Sequence, residues 1–222
     1  SDRSRYFVEN LFEELDAPSE WYFDDLEEVL YWYPEEGIDA ETAMVEVSLN
    51  KHAVEIVGAA GNPVRHVIFE GISFAHTERT FLERYEIPSM GDWSIYRGGA
   101  VRIAGAEDIA IRSCRFDGIG GNGVFVDGYA ARIGVSDCSF SDIGESAVCL
   151  VGESHLSLDG TTRCEFCGAE NPWGWGEPSN NHPRDCVVAN NVIHNIGVFG
   201  KQTAGVFLSL SECITVAHNH IF

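Results

Sequence analysis

The sequence predicts an all-β chain wound as a parallel β-helix, and two observations carry that prediction. The first is self-similarity. The stretch FDGIGGNGVFVDG, Phe116 to Gly128, returns 24 residues later as FSDIGESAVCLVG, Phe140 to Gly152. The second is residue type. Each copy holds short alternating runs of Val, Ile and Phe between glycine turns, with neither a helical pattern nor a leucine-rich consensus.

Taken in order, the elements support the same coil. A small-Val-x-aliphatic strand occurs at Ala100–Ile103, Gly123–Val126, Ala147–Leu150 and Gly205–Leu208, the first three spaced by 23 and 24 residues. A second run follows each: Ile109–Ile111 with Cys114 and Phe116, Ile133–Val135 with Cys138 and Phe140, Val188 with Asn191 and Ile193, Val216 with Asn219 and Ile221. Phe69 with Ile72 and Phe74 form an earlier, degenerate copy. In a parallel coil each turn of chain sits about 4.8 Å above the last, so equivalent residues stack in columns. Val101, Val124, Val148 and Val206 are expected in one inward column. Cys114, Cys138, Asn191 and Asn219 are expected in another, at a corner where stacked asparagines bond to one another and to backbone.

The coil is expected over 53–222, ending in mid-coil, with insertions near 75–98 and 159–184. Residues 1–52 read as a small α/β flank covering the open end: RYFVENLFEELD as a short helix, WYFDDLEEVLYWYP as a hairpin, and Ala43 to Leu49 as a strand leading into the coil. Gly118, Gly120, Gly121 and Gly123 fall at a corner that calls for close turns or positive φ. They spell G-x-G-x-x-G, but a strand rather than a helix follows, which speaks against dinucleotide binding.

Charge narrows the partners. Thirty-five Asp plus Glu against 14 Lys plus Arg give a net −21, and the lysines are Lys51 and Lys201. Such a surface repels nucleic-acid phosphates, so no nucleic-acid partner is expected; solubility, including at high salt, is the plainer reading. No apolar run is long enough to span a membrane. SDRSRYFVEN lacks the regions of a signal peptide, which fits either an intracellular chain or one whose start is missing. Seven cysteines are an odd number, so at least one thiol is unpaired within the chain.

The N-terminal run RYFVENLFEELDAPSEWYFDDLEEVLYWYP, followed by HTERT, GDWSIYRGGAV, GGNGVFVDGY, GESAV and HNIGVFGKQTAGVFLSLSE, resembles the N-terminal half of right-handed parallel β-helix proteins of glycoside hydrolase family 141. The resemblance covers nearly the whole chain. It implies a right-handed, pectin-lyase-like solenoid, a secreted or periplasmic setting, and action on a plant or algal polysaccharide, the family being associated with fucosidic or xylan linkages. It also implies further rungs beyond this sequence.

A glycosidase working by a two-carboxylate mechanism needs paired acids about 5 to 9.5 Å apart, one of them protonated. Asp127 sits outward just after its strand, but its column neighbours are Ala104, Val151 and Ser209. Asp117 is level with Ser141 and His194, and Asp142 with Gly118 and Asn195. Each reads more readily as a turn residue capping backbone N–H groups. A pair beyond Phe222 is therefore expected, with Asp127, Asp92 and Lys201 as weak catalytic candidates. His76, Glu78, Trp93, Trp173, Trp175 and Gln202, from the insertions and the Lys201 corner, are the candidates for substrate contact, since indole faces stack on sugar rings or pack loops down. In a polysaccharide lyase Lys201 would be the base; its plainer role is an ion pair. A noncatalytic glycan-binding β-helix is the third reading. Cys164, Cys167, His182 and Cys186 have a spacing that suits zinc, but Cys186 falls in register with Ile109, Ile133 and Ile214 and so in the core. No metal and no cofactor is expected.

Overall fold

The computed structural model describes residues 8–83, 85, 95–153 and 180–222. The chain divides into two compact units, Ser1–Val47 and Ser48–Phe222. In the first, β1 (Trp21–Asp24) and β2 (Val29–Trp32) form an antiparallel hairpin with Trp21 opposite Trp32. The Asp24 carboxylate accepts from the amides of Leu26 and Glu27 and so holds the turn. The expected helix is reduced to one 3-10 turn, Phe12–Glu14. An isolated helix that short is marginal, and Phe12 instead places its ring edge-on to Tyr22 and Tyr31, at 5.3 and 5.1 Å. Ala43 to Leu49 forms no strand. Alternation alone makes no strand without a neighbouring edge to bond to, and Met44 and Leu49 stay exposed.

The second unit is the coil. Its first rung comprises β3 (Val54–Val57), β4 (Val64–Arg65), β5 (Ile68–Glu70) and β6 (Ser73–Ala75). The second is β7 (Val101–Arg112) with β8 (Arg115–Ile119), and the third β9 (Val124–Ser136) with β10 (Ser139–Ile143). The fourth is β11 (Val148–Val151), β12 (Pro183–Arg184), β13 (Val187–Ala189) and β14 (Val192–Ile193); the fifth is β15 (Val206–Ser209), β16 (Thr215–Ala217) and β17 (His220–Ile221). All pairing between rungs is parallel, in the register the repeat predicts: Val101 lies beside Val124, Val124 beside Val148, and Val148 beside Val206. The runs read from sequence as separate strands merge in β7 and β9, where the β7–β9 register slips between Ala104 and Ala106 at a bend that Gly105 makes with φ 58°.

Stacking fills the interior. Phe74, Phe116 and Phe140 lie face to face, with centroids 4.8 and 4.6 Å apart. At the corner, the Cys114 amide donates to Cys138 Sγ, the Cys138 amide to Asn191 Oδ1 and the Asn191 amide to Asn219 Oδ1. One side-chain acceptor per rung thus satisfies the next buried amide. The residues before them, Ser113, Asp137, Asn190 and His218, all take left-handed φ between 52° and 59°, which turns the chain in a single residue.

Candidate functional site

The repeat's most glycine-rich corner positions the site. Gly118–Asn122 and Asp142–Ser146 stack on successive rungs: the Glu145 amide donates to the Gly121 carbonyl and the Ser146 amide to Asn122 Oδ1, each at 3.0 Å. Gly118 takes a positive φ of 60°, as Asp142 does at 53° on the next rung. Gly120 is glycine for a steric reason, since a Cβ there would lie 2.5 Å from the backbone of Glu78 and Arg79 as that segment crosses it. The Thr77 hydroxyl accepts from the Gly120 amide and fixes the crossing. Thr80–Glu83, Ile95–Tyr96 and Gly200–Thr203 then wall a cavity of about 280 Å³ over the corner.

Glu145 stands in this cavity. One of its oxygens accepts from the Thr80 hydroxyl at 3.0 Å, and its stem packs against Gly200. Burial pushes its carboxyl above the ordinary glutamate range, while Thr80 and Asn122 pull partly the other way. A second carboxylate, Glu83, lines the same cavity and pairs with the Lys51 ammonium at 2.6 Å. Phe81, Tyr85, Tyr96 and Phe207 supply aromatic surface. Burial raises the Tyr96 phenol; Lys51 and Arg102 oppose the rise, and Glu83 and Glu145 add to it. Asn122, fully buried, donates to the carbonyls of Tyr96 and Gly98 and so ties the loop to the corner.

Of the residues singled out from sequence, Lys201 and Gln202 line this cavity. The Lys201 ammonium donates to the carbonyls of Gly197 and Val198, at 2.7 and 2.8 Å, and to no carboxylate among the described residues. Asp127 is buried and, among the described residues, caps no backbone N–H: one oxygen takes Arg97 at 2.6 Å and the other Arg102 at 2.7 Å. His76 and Glu78 lie outside the cavity lining. His76 approaches Gly118 and Asp117, and the Glu78 amide donates to Asn50. Asp117 is held below the ordinary carboxylate range by the Ser141 hydroxyl and then by Arg115. Asp142 accepts from the Asn195 amide. Asp92, Trp93, Trp173 and Trp175 lie outside the described residues, as do Cys164 and Cys167. Cys186 is in the core, and His182 bonds Glu212 at 3.1 Å.

Sequence reading passed over Glu145, Asn122, Tyr96 and Glu83. A signal was present for one of them. Aligned at 24 residues, GIGGN and DIGES set Glu145 against Gly121, and the next copy, NIGVF, has Val198 there, so Glu145 is the charged side chain of that column. No local pattern shows that Thr80 and Tyr96, distant in sequence, fold over it.

The family model described as "Right handed beta helix region" matches residues 70–222. Among solved structures, a chain titled "Glycoside hydrolase" matches with a TM-score of 0.70 and 22% identity, covering 90% of this chain and 36% of its own. At that identity the likeness is one of fold, and this chain spans little more than a third of that structure's length. No curated protein matches the chain.

Proposed function

The chain belongs to the right-handed β-helix family, and on that scaffold we propose that the cavity over Glu145 takes a sugar unit of a polysaccharide and that the protein hydrolyses its glycosidic bond. The observation that carries this reading is a half-buried carboxyl with a raised pKa sharing one small cavity with aromatic rings and a second, ion-paired carboxylate. A general acid must hold a proton, and at Glu145 desolvation shifts the equilibrium toward the protonated form. In the proposed step Glu145 gives that proton to the leaving glycosidic oxygen as the bond to the anomeric carbon breaks. Water adds at that carbon, and Glu83 receives the proton that the water sheds. Drug-sized ligands occupy about 300–1,000 Å³, so a cavity of about 280 Å³ suits a single ring.

The lyase reading is less favoured, because Lys201 is engaged with two loop carbonyls and Lys51 with Glu83, leaving neither lysine as a base. The test is release of reducing ends from a panel of plant and algal polysaccharides by the wild type, Glu145→Gln and Glu83→Gln. Loss of a general acid lowers the rate by about 10²- to 10⁴-fold. A Glu145→Gln variant as fast as the wild type overturns the assignment. Saturable binding of a polysaccharide by the wild type without cleavage transfers the reading to glycan binding.

A further inference from the structure

We propose that Asp127 is a positioning residue for the site: through Arg97 it latches the segment Ile95–Gly98 to the outer face of the coil and so sets Tyr96 as a wall of the cavity. The inference deepens the reading above and rests on it for what the wall serves. Asp127 is 7% exposed in β9, just before Gly128 bends the strand with φ 59°, and neither oxygen is free. Its partners belong to different parts of the fold. Arg102 comes from the coil itself, in β7, and reaches on to Glu55 at 3.1 Å, completing a ladder across three rungs. Arg97 comes from the end of the crossing segment and adds a bond from its second nitrogen to the Gly152 carbonyl at 2.8 Å.

Tyr96 lies between two anchors. On one side Ile95 is buried against Phe125, Cys149 and Val151, outward residues of the same sheet. On the other, Arg97 is held by Asp127 and Gly152. Asn122 takes the carbonyls on either side of Arg97. A backbone fixed at consecutive residues leaves the Tyr96 ring little choice of direction, and it faces the cavity holding Glu83 and Glu145. A bond between buried charged groups keeps its geometry only while both partners remain, so removing Asp127 takes from Arg97 the ion pair that ties it to the third rung.

The experiment follows the Tyr96 phenol in protein labelled with ¹³C at tyrosine Cζ, its resonance assigned by its loss in Tyr96→Phe. Asp127→Ser is the first variant, because the column already accepts Ala104 and Ser209. Arg97→Gln is the second; it cuts the same latch from the loop side and leaves the coil untouched. In both, the Tyr96 titration midpoint is expected to fall from its raised value toward the ordinary tyrosine value of about 10, with core resonances unchanged. Oligosaccharide affinity is expected to fall about tenfold. A folded variant of either kind whose Tyr96 midpoint stays at the wild-type value overturns the latch. If the wild type binds no oligosaccharide, the functional reading fails, while the Tyr96 midpoint still decides the positioning role.

Discussion

Glu145 carries an ionisation that the fold perturbs by desolvation. Its carboxyl titrates higher in the fold than in an unfolded chain because burial penalises the charged form. The stability linked to it is therefore fully present below the unfolded value, near 4.5, and is lost as pH rises through the higher folded value. Glu145→Gln keeps the size and the acceptor for Thr80 without the charge. The variant is expected to melt above the wild type at pH 8, with the difference vanishing as pH falls to about 4, in thermal scans across that range. An equal gap at both ends would mean the carboxyl is not desolvated. Sequence shows a Glu level with Gly121 and Val198; its desolvation arises only when Thr80 and Gly200 close over it. The cysteines show the opposite case. Cys114 and Cys138 are legible as apolar stacking residues from the repeat, and burial pushes the Cys138 thiol up to about 11.

At the scale of the element, the corners decide whether rungs can stack. A Cβ on Gly144 would run into the Gly120 carbonyl of the rung below, a contact no rotamer relieves because both sides are backbone. Gly144→Ala is expected to cost about 3 kcal/mol or more in denaturant unfolding. Gly134, in a strand with nothing near its Cβ position, is the control: Gly134→Ala is expected to be neutral or to stabilise by up to about 1 kcal/mol. Equal effects at the two sites would contradict the stacked-corner geometry. The strands themselves were readable because period and residue type agree along each rung; their joining into β7 and β9 was not, since a bend with a register slip leaves no gap in an apolar pattern. The 3-10 turn in place of a helix, and the missing strand at 43–49, have a related cause: local propensity yields to whichever surface offers a partner.

Across the whole molecule, parallel stacking leaves each rung dependent on its neighbours. The outer edge of β15, β16 and β17 has no strand paired to it among the described residues, and Val216, Ile221 and Phe222 are exposed there. Open edges template association. The 222-residue polypeptide is thus expected to self-associate in sedimentation, and Val216→Lys to shift it toward monomer; a monodisperse wild-type monomer would contradict this. Sequence alone determined the coil, its register, its stacked columns and its acidic character, because a solenoid repeats local rules that each copy states again. Tertiary structure decided the site. Thr80, Tyr96, Asn122, Glu145 and Lys201 lie far apart in the chain and meet only where loop segments fold over one corner, and it is that meeting which desolvates and shifts the carboxyl.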